Sequence, residues 1–445
     1  MLTLATRSVR QRPGRFAATL LSAFLGAAII MTFNSMHDTA GAPGVDSVSA
    51  ETLSTAAGVV GGYGTLLVFF AVASTLTVNV RQRSAEIELL RCSGATPAQL
   101  KRMVVGEAVA VALVGALLAI GPAMLGGRVL LDVFQDSGQV AGSVDYTFGP
   151  IALYSGLDIT VLAAAGAAFL AVRRATGGRS RSRSRSESRS WGRGRRFLVL
   201  GSLVLGALSI GTTFVLSPTD AALMAPPAYG AILLSVGLAL LSPGLLRALL
   251  GRLPLTGPSG YPAVRGLRVR VAELAGVMVP LTLFIGMATA TLQMQGVEND
   301  AIHAAGVPKS VDAKNLETLN LTVVGIIVVF SCIMLINSLY AATTYRRKEF
   351  GQQRLAGATP GQVLGMVGIE SLVLTVTGVV LGTGAALAGI VSFTTVRTDA
   401  VLPERGPGVW LGVVAVAVAV TMGTSLVTAW RVLRTPAINA VAPAA

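Results

Sequence analysis

Residues 81–107 read RQRSAEIELLRCSGATPAQLKRMVVGE, and residues 346–370 read RRKEFGQQRLAGATPGQVLGMVGIE. Setting Gly94-Ala95-Thr96-Pro97 on Gly357-Ala358-Thr359-Pro360, a single offset of 263 residues, also superposes Arg83 on Arg346, Glu86 on Glu349, Arg91 on Arg354 and Glu107 on Glu370. Matches held in register, with similar hydropathy on either side, indicate an internal duplication. Each copy predicts its own local structure. The apolar run before it continues as a helix, and glycine at Gly94 or Gly357 suits the left-handed position that ends one. Thr96 or Thr359 then caps a new helix whose first residue is Pro97 or Pro360, where no backbone N–H is needed. Both copies therefore read as helix, sharp break, helix at a membrane face. A tight turn between helices would explain one such copy. Duplication with matched charges points instead to a docking element.

The composition sets the solvent. Of 445 residues, 53% are hydrophobic and 13% charged, about half the charged fraction of a soluble protein. The apolar residues fall in runs of about 20, long enough to cross a hydrocarbon core. The expected fold class is an all-α polytopic membrane protein, because a helix satisfies its backbone polar groups internally.

Ten spans are expected, at about 16–33, 58–80, 103–125, 150–172, 197–216, 228–250, 271–292, 319–342, 362–391 and 408–430. They group as a four-span unit (1–172), an Arg/Ser-rich linker (173–196), a two-span hairpin (197–250) without a counterpart in the repeats, and a second four-span unit (251–445). The second unit opens with AVRGLRVR at 263–270, which matches ATRSVRQR at 5–12 at an offset of 258. Arginines among apolar residues suit a helix lying on the inner membrane surface, and that feature is duplicated too. The two units are parallel repeats, since an even number of spans separates them.

Charge sets the orientation. Placing both termini in the cytosol leaves all but five (Arg128, Lys309, Lys314, Arg397 and Arg405) of the 35 Lys and Arg on that side, the expected positive-inside bias. Trp191, Trp410 and Trp430 fall near span ends, where an aromatic belt lies. The formal charge of +14 would suggest nucleic acid in a soluble chain. Here it belongs to loops beside lipid headgroups, so membrane lipids and not nucleic acid are the expected partners. The linker RSRSRSESRSWGRGRR is too charged to fold alone and reads as a solvated cytosolic connection. Cys92 and Cys332 lie at the elbow and inside a span, and are expected as free thiols.

The chain contains no G-x-x-x-x-G-K-[ST] loop, no nucleophile elbow and no H-E-x-x-H, and has two histidines. It is not expected to be an enzyme, and any ATP-driven work needs a partner. Intramembrane acids remain. Glu107 and Glu370 lie about two turns into their helices, where a carboxylate pairs with an elbow arginine or acts as a hinge. Asp158 lies about 12 Å into the fourth span at 1.5 Å per residue, either on a substrate path or hydrogen-bonded to a neighbouring span.

R-x-x-E, L-R-x-x-G-A-T, a basic patch and a glutamate just inside the next span resemble the signature of FtsX-like permeases, the membrane subunits of ABC transporters of the MacB, LolCDE and bacitracin-resistance type. The first copy matches throughout. The second departs at Gly351-Gln352-Gln353, where the first has Glu88-Leu89-Leu90. The resemblance implies that the elbows, through Glu86, Arg91, Gly94, Thr96 and Pro97 and through Glu349, Arg354, Gly357, Thr359 and Pro360, dock on a separate ABC ATPase. One ATPase would bind each elbow, two per chain, carrying the ATP and Mg that this chain does not bind.

It also implies residence in a bacterial cytoplasmic membrane. Relatives of this type hang a large domain outside the membrane, after the first or the seventh span. Here the corresponding loops are about 25 residues each, so work at the membrane itself is expected: export or extraction of a hydrophobic peptide, antibiotic or lipid. The alternative is an ATPase-driven transducer that controls a sensor kinase or envelope enzyme and moves no substrate.

Overall fold

The computed structural model describes residues 13–58, 89–176 apart from 91, 187–218, 223–252, 259–304, 346–403 and 406–441, together with 325, 328, 331–332, 335–336, 338–340 and 342–344. The described residues form an all-α fold without strands. Among the described residues eight helices are long and apolar enough to cross a membrane, at Thr19–Ala40, Ala98–Asp136, Pro150–Phe169, Arg196–Val215, Ala225–Ala248, Val277–Ala304, Pro360–Thr398 and Gly408–Leu433. The other two expected spans, 58–80 and 319–342, lie wholly or largely outside the described residues, as do Glu86, Arg91 and the 5–12 copy of the arginine-rich segment.

The chain divides into two compact units, the first within its first 183 residues and the second covering the described residues from 187 onward. In the first, α1 (Pro13–Ala40), α2 (Pro97–Asp136) and α3 (Pro150–Thr176) each pack on the other two. One cluster between them is made mostly of small side chains: Ala27, Met31, Ala116, Ala119 and Ala123. In lipid, where apolar burial drives nothing, close backbone approach supplies the dispersion contacts instead. Gly115 shows how close. A Cβ added there would lie 3.0 Å from both the Phe24 nitrogen and the Ala23 Cβ.

Span ends run further than hydropathy suggests. α1 continues to Ala40 and α2 to Asp136, through residues expected in outer loops. The reason is visible at the top of the unit. Asp38, which falls between the first two expected spans, accepts hydrogen bonds from the backbone N–H groups of Ile151 (3.1 Å) and Ala152 (2.8 Å). It satisfies donors that the start of α3 otherwise leaves open. Gly149 makes room for it, since a Cβ there would lie 2.4 Å from Asp38 Oδ1.

The second unit contains α4 (Glu187–Thr212), α5 (Ala225–Arg252), α6 (Gly260–Ala304), α7 (Arg347–Leu355), α8 (Pro360–Thr398), α9 (Gly408–Leu433) and α10 (Ala437–Val441). α6 is its axis: 89% of its membrane window is buried, against 17% for α4. It packs on α5, α8 and α9. Leu281 and Ile285 of α6 sit over Gly378 and Gly382 of α8, where added Cβ atoms would come within 2.5 and 2.7 Å of them. The hairpin α4–α5 joins this unit through α5, which contacts both α6 and α8.

Two expectations change. AVRGLRVR is not a separate surface helix, because 263–270 is continuous with the span that follows and buries Ala263, Val264 and Leu267. The Arg/Ser-rich linker is helical at both described ends, 173–176 in α3 and 187–196 in α4. Arginine is a good helix former, and an existing helix extends without a new nucleation cost.

The elbow glycines generate a test. Gly357 has φ +98° with nothing near the position of a Cβ, whereas Gly361, one residue into α8, has ordinary φ and equally open space. Gly357→Ala should cost about 1 kcal/mol of stability, from backbone conformation alone. Gly361→Ala should be neutral or slightly stabilising. Thermal unfolding of the purified protein separates the two.

Candidate docking elbow

The two elbows are built alike. In the second, α7 ends as Ala358 N–H donates to the Gln353 carbonyl (3.0 Å) and Gly357 N–H to that of Arg354 (3.1 Å). In the first, Ala95 N–H donates to the Leu90 carbonyl (3.0 Å), and Gly94 has φ +96° against +98° for Gly357. The bond spanning five residues over a left-handed glycine is the Schellman closure. The next helix opens with a capping box in both copies. Thr96 N–H donates to Gln99 Oε1 at 2.9 Å and Gln99 N–H to Thr96 Oγ1 at 3.3 Å. Thr359 and Gln362 repeat the same two distances. Pro97 and Pro360 follow their caps as the first residues of α2 and α8. Gln99 and Gln362 were not among the expected site residues, although T-x-x-Q before an apolar run is the sequence form of this box.

Behind the second elbow lies a four-membered ion cluster. The Arg346 guanidinium donates to Glu349 through Nε (3.0 Å) and Nη2 (2.9 Å). It also donates to Glu370 through Nη2 (3.0 Å) and through Nη1. Arg270 of α6 adds contacts at 3.4 Å to Glu370 and 3.7 Å to Glu349. The Phe350 ring lies 4.8 Å from the Arg346 guanidinium carbon. Gly266, one turn before Arg270, leaves space for the Glu370 carboxylate, 3.1 Å from where a Cβ would be. The cluster balances two positive against two negative charges and ties α6, α7 and α8 together. Burial works against the Arg346 charge, but the Glu349 hydrogen bonds and the Glu370 and Glu349 charges outweigh it and hold its pKa above the ordinary value. For Glu349, burial pushes the other way from the Arg346 and Arg270 contacts, and the net effect holds its pKa below 4.5.

Arg354 is also engaged. Its Nη1 donates to the carbonyls of Leu433 and Thr435, both at 2.9 Å, fastening the elbow to the C-terminal end of α9, where a cation complements the helix dipole. What remains exposed on the second elbow includes Lys348, Gln352 and Leu355, with Gly357 and Thr359. On the first, Leu89, Leu90, Gly94 and Thr96 are exposed. Glu107 is buried within the first unit, as Glu370 is in the second. Asp158 lies exposed on α3, on a face with Tyr154 and Leu162. Among the described residues no group of three His, Cys, Asp or Glu is placed to hold a metal. Cys92 and Cys332 are free thiols.

The family description FtsX-like permease C-terminal matches residues 58–178 and again 321–437, together just over half of the chain. The chain belongs to the FtsX-like permease family. Each match contains one elbow and the cap that follows it. No curated protein matches the chain. FtsX-like permeases are membrane components of ABC transporters, typically without catalysis of their own, and in general partner with ABC ATPases. This permease therefore carries its family domain twice in one polypeptide.

Two outcomes test the cluster. Arg346→Ala leaves the buried Glu370 carboxylate and the partly exposed Glu349 facing Arg270 alone, and should destabilise the permease by about 3 kcal/mol, most of it from Glu370. Arg346→Met with Glu370→Leu should recover most of that loss, because a buried pair replaced by apolar side chains is often neutral. Thermal unfolding of the single and double variants decides. Glu349 gives a pH signature. A carboxylate held low in the folded state contributes stability that is present above its unfolded pKa, near 4.5, and lost as pH falls through the folded value. The melting-temperature difference between the wild type and Glu349→Gln should therefore shrink below pH 4.5.

Proposed function

We propose that this chain is the permease of an ABC transporter that exports, or extracts from the membrane, a hydrophobic or amphiphilic substrate: an antimicrobial peptide, an antibiotic or a lipid. Two ATPases dock on it, one per elbow. One chain, with two family repeats, does the work of a permease dimer. The observation that carries this reading is the equal build of the two elbows, with the same capping distances and nearly the same glycine φ. A turn needed only to reverse the chain has no reason to be so closely duplicated. Two equivalent partners give one.

The docking contacts are read from what faces outward. Leu89 and Leu355 are 71% and 57% exposed beside the two breaks, with Leu90 exposed next to Leu89, and apolar side chains protruding from a largely polar elbow suit anchors in a partner's cleft. ATP-driven closure of the ATPase pair displaces the elbows. In the second repeat the motion passes through the ion cluster into α6 and α8 and through Arg354 into α9. Both termini and both elbows then lie in the cytosol, and the membrane is the bacterial cytoplasmic membrane.

A second reading, a transducer that controls another membrane protein, has one observation in its favour. Asp158 is exposed within a membrane window, and an intramembrane carboxylate on an outward face suits a polar or cationic group from a neighbouring chain. Asp158→Asn should then abolish pairing with that neighbour while basal hydrolysis by the partner ATPase is unchanged.

Co-expression with an ABC ATPase, purification and mass determination test the main reading. Two ATPases per permease chain are expected. Leu89→Asp with Leu355→Asp should abolish co-purification while the permease still inserts and keeps its melting temperature. Retention of both ATPases by that variant would remove the docking assignment.

A further inference from the structure

The two elbows share a backbone but not a surface. Their breaks are nearly equal in glycine φ and equal in capping distances, so residues at the 263-residue offset stand at equivalent places around each break. Before the first break, Leu89 and Leu90 are both exposed. Their equivalents in the second elbow are Gln352 and Gln353. Gln352 is exposed, whereas Gln353 directs its Nε2 donor at Met366 Sδ of α8, 3.5 Å away. The exposed apolar residue of the second elbow is Leu355, which stands where the first has Cys92. Leu89 therefore precedes its glycine, Gly94, by five residues, while Leu355 precedes Gly357 by two. The anchor is displaced by nearly one helical turn, about 4.5 Å along the axis at 1.5 Å per residue.

Charge is displaced as well. After the first break α2 carries Lys101 and Arg102, and the equivalent residues of α8 are Leu364 and Gly365. Lys101 lies over the Phe169 ring, its Nζ 5.3 Å from the centroid, while Arg102 is exposed. In the second elbow Arg347 and Lys348 are exposed at the start of α7, ahead of the break. Their equivalents in the first are Ser84 and Ala85. Among the described residues, the exposed cations thus lie after the break in the first elbow and before it in the second.

A cleft shaped for one of these surfaces does not fit the other equally. Two copies of one ATPase offer identical clefts, so an anchor moved by a turn and a cation moved across the break leave one cleft less well filled. We propose that the elbows dock two copies of the same ABC ATPase unequally: the first, through Leu89, Leu90 and Arg102, is the tight site, and the second, through Leu355 and Lys348, is the weak one. Two adjacent leucines place more apolar area in a cleft than one does, and each further leucine buried is worth about tenfold or more in affinity. Arg102 suits a cleft with an acidic rim, and such complementarity also speeds association. The inference rests on the docking reading above and adds an order to it. One ATPase is resident at the first elbow, and the second arrives to complete the pair.

The test reads each elbow separately in the full-length permease, reconstituted in phospholipid nanodiscs. Cys92→Ser and Cys332→Ser remove the native thiols. Ser93→Cys or Ala356→Cys, at equivalent positions that are both exposed, then carries an environment-sensitive dye, and the co-purifying ABC ATPase is titrated in. Half-saturation at residue 93 should lie about tenfold or more below that at residue 356. Leu89→Gln should raise the midpoint of the first elbow by about tenfold, and Gln352→Leu should lower that of the second by a similar factor. Arg102→Gln should flatten the salt dependence of binding at residue 93. Leu89, Arg102 and Gln352 are exposed, so these variants should keep the parent melting temperature.

Equal midpoints, or a second elbow that fills first, would overturn the inequality and leave docking intact. Two different ATPase chains, each moving one label, would overturn it as well. An ATPase that moves neither label removes the docking reading and the inequality together. Unequal midpoints without amphiphile-stimulated hydrolysis keep the docking order and remove transport.

Discussion

Glu370 lies within an apolar membrane helix, and its side chain is 8% exposed. A carboxylate there is costly unless nearby cations and hydrogen bonds replace the water it has lost. Arg346 and Arg270 do so, and in meeting that electrostatic requirement they also fix geometry. Arg346 stands at the N-cap of α7, Arg270 lies near the start of α6, and Glu370 rides on α8, so satisfying one acid brings three helices to a common point. Arg354 then binds the far end of α7 to the end of α9. The elbow of the second repeat is consequently a rigid part of its unit and not a pendant loop.

The devices that shape the elbows are chain-local, and this is why so much of them is legible in the sequence. A left-handed glycine, a threonine cap and a proline at the first helical position act on neighbours a few residues away, and the duplication repeats each of them. The all-helical membrane class is legible for a similar reason, since runs of apolar residues need no knowledge of packing. Long-range partners are not legible. Arg270 reads as one arginine in an amphipathic surface segment because nothing near it shows that Glu370, 100 residues on, needs a second cation. Asp38 reads as a loop acid because the helix start it caps lies 113 and 114 residues away. Span lengths err in one direction: hydropathy ends a span at the first polar residues, while the helices continue wherever such residues find a partner.

Glycines carry part of the missing information. Gly149, Gly266 and Gly127 each stand where another residue's polar atom occupies the space of a Cβ. In the sequence they look like ordinary small residues of membrane helices and loops. In the structure they make the space in which Asp38, Glu370 and Tyr146 reach their places. Arg354 corrects the picture in another way. The motif marks it for its charge, yet its guanidinium is turned inward, and the outward face of the elbow is left to Lys348, Gln352 and Leu355.

The displacement of the exposed leucine, from Leu89 before one break to Leu355 before the other, bears on how such a protein changes over time. When two identical subunits make a transporter, a mutation that strengthens or weakens a contact in one half does so in the other. Joining the two copies in a single gene breaks that coupling. One half can keep its grip on the motor while the other drifts toward a looser or a different hold, so a tandem permease can alter how it is driven without losing its drive altogether.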